Sequence, residues 1–270
     1  MIEASDSMPP FPSLALLLIY LFVFSSADAY HSLLQMVPRG RTLSRPAGVG
    51  GAADDYLCDS WRLSVETNNA GTFRSIPTTC IPYVKKYFSG DWYFSDSEVV
   101  AGDSLYFAAT VPIEGDGKDI WIFDVDETLL SNIPYYAAHG YGSETFNETS
   151  FDEWVELGKA PALPASLKLY GQLLELGFQM ILLTGRGEGQ RNVTEKNLLS
   201  VGYRSWERLI LRQSDDHGKK AVVYKSERRA ALEAEGFRIH GNSGDQWSDL
   251  LGWATSTRSF KLPNPMYYIP

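Results

Sequence analysis

The feature that most constrains the fold is a regular alternation of short apolar segments with amphipathic segments from residue 120 onward. The apolar segments predict β-strands at Ile120–Val125, Phe178–Leu183, Leu209–Arg212 and Phe237–His240. The amphipathic segments predict helices at roughly Pro164–Leu176, Glu188–Val201 and Ser226–Glu235. Short apolar strands that alternate with helices form a parallel sheet joined by crossover helices. We therefore predict an α/β protein with a Rossmann-like parallel sheet.

An acidic turn directly follows the first predicted strand, as Asp124-Val125-Asp126-Glu127-Thr128. Open α/β sheets bind their ligands at the carboxyl ends of the strands. Two carboxylates spaced by one residue in such a loop are suitable ligands for Mg²⁺, and one of them can also attack phosphorus and carry an aspartyl-phosphate. Taken alone, D-x-D-x-T is equally typical of an ordinary acidic turn.

Two further motifs come at the points where a phosphoryl-transfer site needs them. Thr184-Gly185-Arg186 ends the second strand, where a hydroxyl, a free amide and a cation can hold phosphoryl oxygens. Turn chemistry explains this tripeptide equally well. Lys225, at the start of the third predicted helix, can neutralise a carboxylate and a phosphate. Because six Lys and Arg residues lie between 212 and 229, a solvated basic face is the alternative for Lys225.

The last motif, Gly244-Asp245-Gln246-Trp247-Ser248-Asp249, follows the fourth predicted strand. A G-D-x-x-x-D sequence in this place can supply one carboxylate to a metal and a second that holds the first in position. The alternatives are a helix N-cap for Asp245 and an exposed acid in the first helical turn for Asp249.

A segment at about residues 131–163 interrupts the alternation and is too long for a simple connection between a strand and a helix. It contains the helical stretch Ser150–Leu157 and predicts a small, mostly helical cap over the acidic turn. Within it, Tyr135 and Tyr136 either stack on a bound leaving group or pack in the core of the cap. The apolar tail at residues 266–270 is predicted to pack on a core or on a partner.

The amino terminus predicts a targeting segment. An apolar run at Leu14–Phe24 precedes small residues that end at Ala29, so residues 1–29 are typical of a signal peptide. The acids Glu3 and Asp6 fit this poorly, and a retained membrane anchor is the alternative. Residues 30–55 are rich in Gly, Pro and Ala and predict a flexible segment, followed by a folded domain at 56–270. The prediction is entry into the secretory pathway, with an extracellular or vacuolar location and no membrane contact after cleavage.

Cysteine and asparagine patterns agree with that compartment. Cys58 and Cys80 can pair as a disulfide. The chain-entropy model predicts that this disulfide stabilises the folded protein by roughly 3 kcal/mol. A redox pair and a metal site are the alternatives. Asn147 and Asn192 begin N-x-T sequences and are predicted glycosylation sites. The net charge of −9 and a pI of about 5.0 argue against a nucleic-acid partner.

The order D-x-D-x-T, T-G-R, Lys, G-D-x-x-x-D resembles the haloacid dehalogenase-like phosphatases. The sequence is most similar to the class B acid phosphatases of plants, a group that includes the vegetative storage proteins. The similarity extends over about residues 56–270. Besides the four motifs, the stretches that show this similarity are Cys58–Arg62, Tyr224–Ser226, Gly241–Gly252 and Phe260–Pro265.

The resemblance implies a Mg²⁺-dependent acid phosphatase that acts on small phosphate monoesters, with transfer to an alcohol in place of water left open. It implies Asp124 as nucleophile and metal ligand, with Asp126 as general acid and as metal ligand through its backbone carbonyl. It further implies the following roles: Thr184, Gly185 and Lys225 bind the phosphoryl group, Arg186 orients the substrate, Asp245 binds the metal, and Asp249 supports it. Homodimers are an expectation of the same resemblance. A vegetative storage protein with weak or no activity is the alternative, and the intact Asp124 favours the enzyme.

Overall fold

The computed structural model describes residues 52–69 and 75–269 of the 270-residue chain. Within them, five strands form one parallel sheet in the order β3-β2-β1-β4-β5. The strands are β1 (Asp119–Phe123), β2 (Gln179–Gly187), β3 (Trp206–Arg212), β4 (Arg238–Gly244) and β5 (Arg258–Lys261). The predicted α/β class and its parallel sheet are confirmed. The edge strand β5 was not predicted, because its four residues contain no apolar run.

Helices cover both faces of the sheet and form the segment before it. They are α1 (Ala52–Glu66), α2 (Ile81–Ser89), α3 (Asp91–Ala108), α4 (Ile133–Ala138), α5 (Glu148–Glu156), α6 (Pro164–Glu175), α7 (Arg191–Ser200), α8 (Ala221–Ala234) and α9 (Trp247–Leu250). The three predicted crossover helices correspond to α6, α7 and α8. Helix α8 begins at Ala221, five residues before the predicted start at Ser226. The residues Ala221-Val222-Val223, which precede the predicted helix, form the first turn of α8.

The central strand β1 is buried along its whole length, and its side chains alternate between the two faces of the sheet. Trp121 and Phe123 pack in one core cluster, whereas Ile120 and Ile122 pack in another on the opposite face. Trp121 lies against Gly241 of β4, where a Cβ atom would come within 2.4 Å of the indole ring. Close approach of the two strands therefore requires glycine at this position.

A third core cluster joins the amino-terminal helices to the cap and the carboxyl-terminal tail. Cys58 of α1 and Cys80 form a disulfide across a sequence separation of 22 residues, which confirms the predicted pairing. Met266 is fully buried in the same cluster. The tail thus packs on the core of its own chain.

The cap leaves the sheet after β1 and returns before α6. Its two ends are joined by an antiparallel bridge between Leu130 and Ala162. The backbone N–H of Ser131 donates to the Pro161 carbonyl at 2.8 Å. Helices α4 and α5 lie between these ends and place their aromatic residues over the carboxyl edge of the sheet.

The predicted signal peptide at 1–29 and most of the predicted flexible segment at 30–55 lie outside the described residues. Helix α1 begins at Ala52, inside the latter segment. Among the described residues, no helix combines the length and the apolarity needed to cross a membrane.

Candidate active site

Three of the four sequence motifs meet around one buried lysine. Lys225, in the second turn of α8, places its Nζ 2.6 Å from Asp124 Oδ1 at the end of β1. The same Nζ lies 2.5 Å from Asp249 Oδ1, which comes from the motif after β4. Lys225 is only 4% exposed, so the alternative of a solvated basic face is wrong for this residue.

The carboxylates of Asp124, Asp245 and Asp249 form a compact oxygen-donor group. Each offers one oxygen, and these three oxygens lie within 4.8 Å of one another. Burial raises the pKa of Asp124 well above its usual value, and the charges of Asp249 and Asp245 add to this against the opposing effect of Lys225. Burial, with the charge of Asp249, likewise raises the pKa of Asp245 to about 7. Three buried carboxyl groups thus share one ammonium, and all-oxygen donors of this kind fit a hard divalent cation.

Neighbouring amides fix the orientation of Asp245. Its Oδ2 accepts hydrogen bonds from Gln246 Nε2 and Asn264 Nδ2, both at 2.7 Å. Thr128 Oγ1 donates to its Oδ1 at 3.4 Å. Sequence reasoning assigned no role to Asn264, which lies 19 residues after Asp245, although its segment Phe260–Pro265 contributes to the family resemblance. Such partners orient metal-binding carboxylates.

Asp249 accepts hydrogen bonds from a backbone N–H group and from a buried arginine. Its Oδ2 accepts the Gln246 backbone N–H at 2.9 Å, and its carbonyl accepts Arg229 Nη1 at 2.7 Å. Arg229 is fully buried and also donates to the carbonyls of the following loop. At Gly244, a Cβ atom would come within 2.5 Å of Asp249 Oδ2, so the glycine of the motif leaves room for this carboxylate.

Asp126 lies apart from the three-carboxylate group and faces Arg186. Arg186 Nη2 donates to Asp126 Oδ1 at 2.7 Å and Arg186 Nε to Oδ2 at 3.1 Å. Burial raises the pKa of Asp126, but the charge and hydrogen bonds of Arg186 outweigh it, and the pKa lies below its usual value. The arrangement therefore favours the ionised form of Asp126, and its protonated fraction grows as the pH falls.

The Thr184-Gly185-Arg186 motif lies within β2, which continues to Gly187. Thr184 is fully buried, and its Oγ1 accepts the backbone N–H of Arg186 at 3.1 Å. Gly185 is exposed and lines both cavities of the site. The structure thus places Gly185 and Arg186 at the cavities, with Thr184 behind them.

Two cavities adjoin at this edge of the sheet. The smaller, of about 210 Å³, is lined by Asp124, Lys225, Asp245, Asp249, Arg212 and Ser248 among others. Within the described residues, the buried Ser248 hydroxyl has no hydrogen-bond partner, so an oxygen of a bound ligand or a water can pair with it. The larger cavity, of about 650 Å³, lies under the cap. Both cavities share Asp126, Gly185, Tyr267 and Ile269.

Tyr135 and Tyr136 line the larger cavity and also pack in the core of the cap. Their exposed fractions are 6% and 7%. Tyr135 contacts Phe151 at 5.3 Å between ring centroids, and Tyr136 contacts Tyr267 at 5.2 Å. Packing therefore holds the two rings in place, and their remaining exposed edges face the cavity.

A buried lysine among aspartates at the carboxyl edge of a parallel sheet, beneath a helical insertion after the first strand, defines a haloacid dehalogenase-like phosphatase fold. The chain belongs to the HAD superfamily, subfamily IIIB (acid phosphatase), whose family model matches residues 44–270. The resemblance stated from the sequence is thereby confirmed.

Relatives of the chain bear both enzyme and storage names. Acid phosphatase 1 of Solanum lycopersicum is 57% identical over 216 residues, which are 80% of this chain and 85% of the relative. The stem 28 kDa glycoprotein of Glycine max is 47% identical over 224 residues, covering 82% and 87% of the two chains. Vegetative storage protein 1 of Arabidopsis thaliana is 43% identical over 217 residues, covering 79% of each chain.

A solved structure supports the fold. The class C acid phosphatase from Bacillus anthracis with tungstate bound superimposes with a TM-score of 0.55 at 21% identity. The match covers 70% of this chain and 85% of the bacterial chain.

Proposed function

We propose that this protein is a Mg²⁺-dependent acid phosphatase that hydrolyses small phosphate monoesters through an aspartyl-phosphate on Asp124. The observation that carries the proposal is the Asp124–Lys225 pair, 2.6 Å apart, inside a buried carboxylate group that opens into the 210 Å³ cavity. A carboxylate beside a fixed cation, at the wall of a cavity of this size, is suited to attack a phosphoryl group held there.

The smaller cavity would bind the phosphoryl group and the larger one the leaving group. An oxygen of Asp124 attacks phosphorus and the ester P–O bond breaks. The protonated form of Asp126, whose fraction grows as the pH falls, gives its proton to the departing oxygen. Asp126 then takes a proton from water, which attacks the aspartyl-phosphate and releases phosphate and the free Asp124. Lys225 would stabilise the charge on the phosphoryl oxygens. The Gly185 backbone and the Ser248 hydroxyl, which line the smaller cavity, would bind them.

Asp124, Asp245 and the backbone carbonyl of Asp126 would hold the Mg²⁺ ion, with Asp249 close enough to join or support them. When bound, the ion would neutralise negative charge on the phosphoryl oxygens. It would also favour the ionised forms of Asp124 and Asp245, which burial disfavours without it. Activity below neutrality follows from the substrate, because a phosphate monoester has its second pKa at about 6. Below that pH the ester carries one negative charge fewer and meets less repulsion from the acidic site.

Metal binding can be tested without turnover. Mg²⁺ is expected to raise the melting temperature of the protein and EDTA to reverse the rise, because binding to the folded state alone stabilises it by about 2.7 kcal/mol at 100 times Kd. Asp245→Asn should reduce the Mg²⁺-induced rise, whereas Asp103→Asn, on the exposed face of α3, should leave it unchanged. A rise of equal size in Asp245→Asn would contradict this metal site.

The disulfide and the relatives named glycoproteins support maturation in the secretory pathway, with an extracellular or vacuolar destination. Asn147 and Asn192 are both exposed, as N-glycosylation sites require. Asn147 also lines the larger cavity, and its Oδ1 caps α5 by accepting the Ser150 N–H at 3.1 Å. A glycan is attached through Nδ2, so the cap hydrogen bond can persist beside it.

A glycan on Asn147 is expected to restrict the mouth of the larger cavity. In protein secreted from a eukaryotic host, Thr149→Ala should remove one glycan by mass and raise turnover of bulky aryl phosphates relative to p-nitrophenyl phosphate. Thr149→Ser keeps the sequon and is the matched control, because residue 149 is exposed. If the masses of the two variants differ only by the one oxygen atom that distinguishes Ala from Ser, Asn147 carries no glycan.

A further inference from the structure

Asn132, which none of the four motifs contains, makes a direct hydrogen bond to Asp126. Its Nδ2 donates to Asp126 Oδ1 at 2.8 Å, and the residue is fully buried. Its side-chain oxygen accepts Trp154 Nε1 from cap helix α5, also at 2.8 Å. The amide is therefore fixed at both ends, with its N–H groups toward the acidic turn.

Glu127 holds Asn132 from the other side. Glu127 Oε1 accepts the backbone N–H of Asn132 at 2.6 Å, and Oε2 accepts Asn132 Nδ2 at 3.2 Å. Oε2 also accepts the hydroxyl of Tyr267, from the carboxyl-terminal tail, at 2.5 Å. Tyr267 therefore connects the tail to the same turn.

The backbone of Glu127 is strained, which indicates that its surroundings determine its position. Its φ of 53° lies in the left-handed region that non-glycine residues seldom adopt. The residue is 1% exposed, and its backbone N–H donates to the Leu130 carbonyl at 2.8 Å. A strained backbone and a buried carboxyl group together persist only where the hydrogen bonds around them over-determine the conformation.

The two oxygens of Asp126 are used unequally. Oδ1 accepts both Asn132 Nδ2 and Arg186 Nη2, at 2.8 and 2.7 Å. Within the described residues, the hydrogen bond to Oδ2 comes from Arg186 Nε alone, at 3.1 Å. Because Oδ1 is occupied by two short hydrogen bonds, Oδ2 is the oxygen left to carry a proton toward the leaving group.

We propose that Asn132 is a positioning residue, held by Glu127, Trp154 and Tyr267, that fixes the carboxyl group of Asp126 for proton donation to the leaving group. The proposal rests on the proposed function, in which Asp126 is the general acid. The cap and the carboxyl-terminal tail then both help to hold Asp126 in position. Trp154 comes from the cap and bonds Asn132, and Tyr267 comes from the tail and bonds Glu127. Neither residue needs to touch the phosphoryl group.

Leaving-group dependence separates positioning from a general loss of structure. p-Nitrophenolate departs with little protonation, whereas an alkoxide needs a proton as the ester bond breaks. A displaced Asp126 should therefore slow an alkyl phosphate such as glycerol 2-phosphate much more than p-nitrophenyl phosphate. Partial unfolding would lower both rates by the same factor.

The experiment measures kcat and KM for both substrates with Mg²⁺ at pH 5–6 in wild type, Asn132→Ala and Tyr267→Phe. General acid catalysis typically accelerates a reaction by about 10²- to 10⁴-fold. Asn132→Ala is therefore expected to lower kcat for glycerol 2-phosphate roughly 10- to 100-fold, and kcat for p-nitrophenyl phosphate by about threefold or less. Tyr267→Phe should shift the ratio of the two rates in the same direction by a smaller factor. The Mg²⁺-induced rise in melting temperature should stay at the wild-type value in both variants.

Two variants control for the loss of a buried polar group. Asn197 bonds both backbone groups of Ala160, and Tyr170 donates to the Arg204 carbonyl, so neither bonds Asp126 or Glu127. Asn197→Ala and Tyr170→Phe should leave the ratio of the two rates unchanged. If Asn132→Ala does not fold, Tyr267→Phe and Trp154→Phe decide the question by the same ratio.

The positioning role would be overturned if Asn132→Ala lowered kcat by the same factor for both substrates. If that variant does not fold, equal losses of kcat in both Tyr267→Phe and Trp154→Phe would overturn it. Failure of the proposed function looks different. Wild-type protein would then show no turnover that depends on Asp124, or Asp126→Asn would slow both substrates equally. A substrate-dependent loss in Asp126→Asn, reproduced in part by Asn132→Ala, supports both.

Discussion

Asparagine in place of Asp124 is expected to abolish phosphatase turnover while the protein stays folded. An amide of the same shape cannot attack phosphorus, and loss of a covalent nucleophile typically costs roughly 10⁴-fold or more in kcat. The substitution also removes one of three buried carboxylates that share the Lys225 ammonium. The metal-free variant should therefore be at least as stable as wild type, because like charges are removed from a buried site.

The measurement is hydrolysis of p-nitrophenyl phosphate at pH 5–6, with Mg²⁺ and with EDTA, beside a thermal melt of each protein. Asp103→Asn makes the same chemical change on an exposed helix face and should retain full activity. Rapid quenching of wild type in radiolabelled substrate should trap phosphate on the protein, and the Asp124→Asn variant should trap none. Undiminished turnover in Asp124→Asn would rule out this mechanism.

The same assay decides between an enzyme and a storage protein. The relatives include Acid phosphatase 1 and two proteins named as vegetative storage proteins, so family membership alone does not separate a catalytic role of this chain from a storage role. The retained Asp124 and its paired Lys225 favour catalysis. Negligible turnover from well-folded wild type with Mg²⁺ would favour storage despite the intact motifs.

The sequence predicted the elements that local patterns encode. Parallel strands end at one edge of a sheet, so motifs that follow successive strands had to converge. Asp124 and Asp249 accordingly each accept a hydrogen bond from Lys225. The apolar run at residues 120–123 similarly predicted a buried central strand. In each case the information lies in a few consecutive residues.

Contacts between distant parts of the chain could not be predicted in this way. Asn264 and Tyr267 reach Asp245 and Glu127 from the tail, across 19 and 140 residues of sequence. Arg229 supports Asp249 through carbonyl groups, which carry no side-chain signal. Their roles depend on tertiary packing that no short pattern contains.

The electrostatic balance at Asp126 also required the structure. The resemblance implies that Asp126 is the general acid, a role that needs a protonated fraction and is favoured by a raised pKa. Burial does act in that direction, but Arg186 lies 2.7 Å away and lowers the pKa below its usual value. The sequence showed both residues and gave no indication that they are paired.

Replacing Lys225 by methionine is expected to cause the largest loss of stability in the metal-free protein. Methionine fills a similar volume but leaves the buried carboxylates of Asp124 and Asp249 without their cation. Removing one partner of a buried ion pair typically costs about 3–5 kcal/mol. For a domain of this size that corresponds to a drop in melting temperature of roughly 10 °C. Lys168→Met, on the exposed face of α6, should change it little.

The loss should depend on Mg²⁺ and on pH in a predictable direction. A bound divalent cation neutralises the same carboxylates, so saturating Mg²⁺ is expected to recover part of the lost stability. Burial raises the pKa of Asp124 above its unfolded value, and removal of Lys225 takes away the charge that opposes this rise. The folded variant thus holds protons more tightly than the unfolded chain, and its stability should rise relative to wild type as the pH falls.

Thermal melts of wild type, Lys225→Met and Lys168→Met at pH 5 and pH 7, each with Mg²⁺ and with EDTA, measure both effects. The gap between wild type and Lys225→Met should be widest at pH 7 in EDTA and narrowest at pH 5 with Mg²⁺. Catalysis should not recover with the fold, because Mg²⁺ cannot replace an ammonium fixed beside the phosphoryl oxygens. A gap that is independent of both pH and Mg²⁺ would mean that Lys225 stabilises the protein through packing alone, and the charge balance assigned to the site would be wrong.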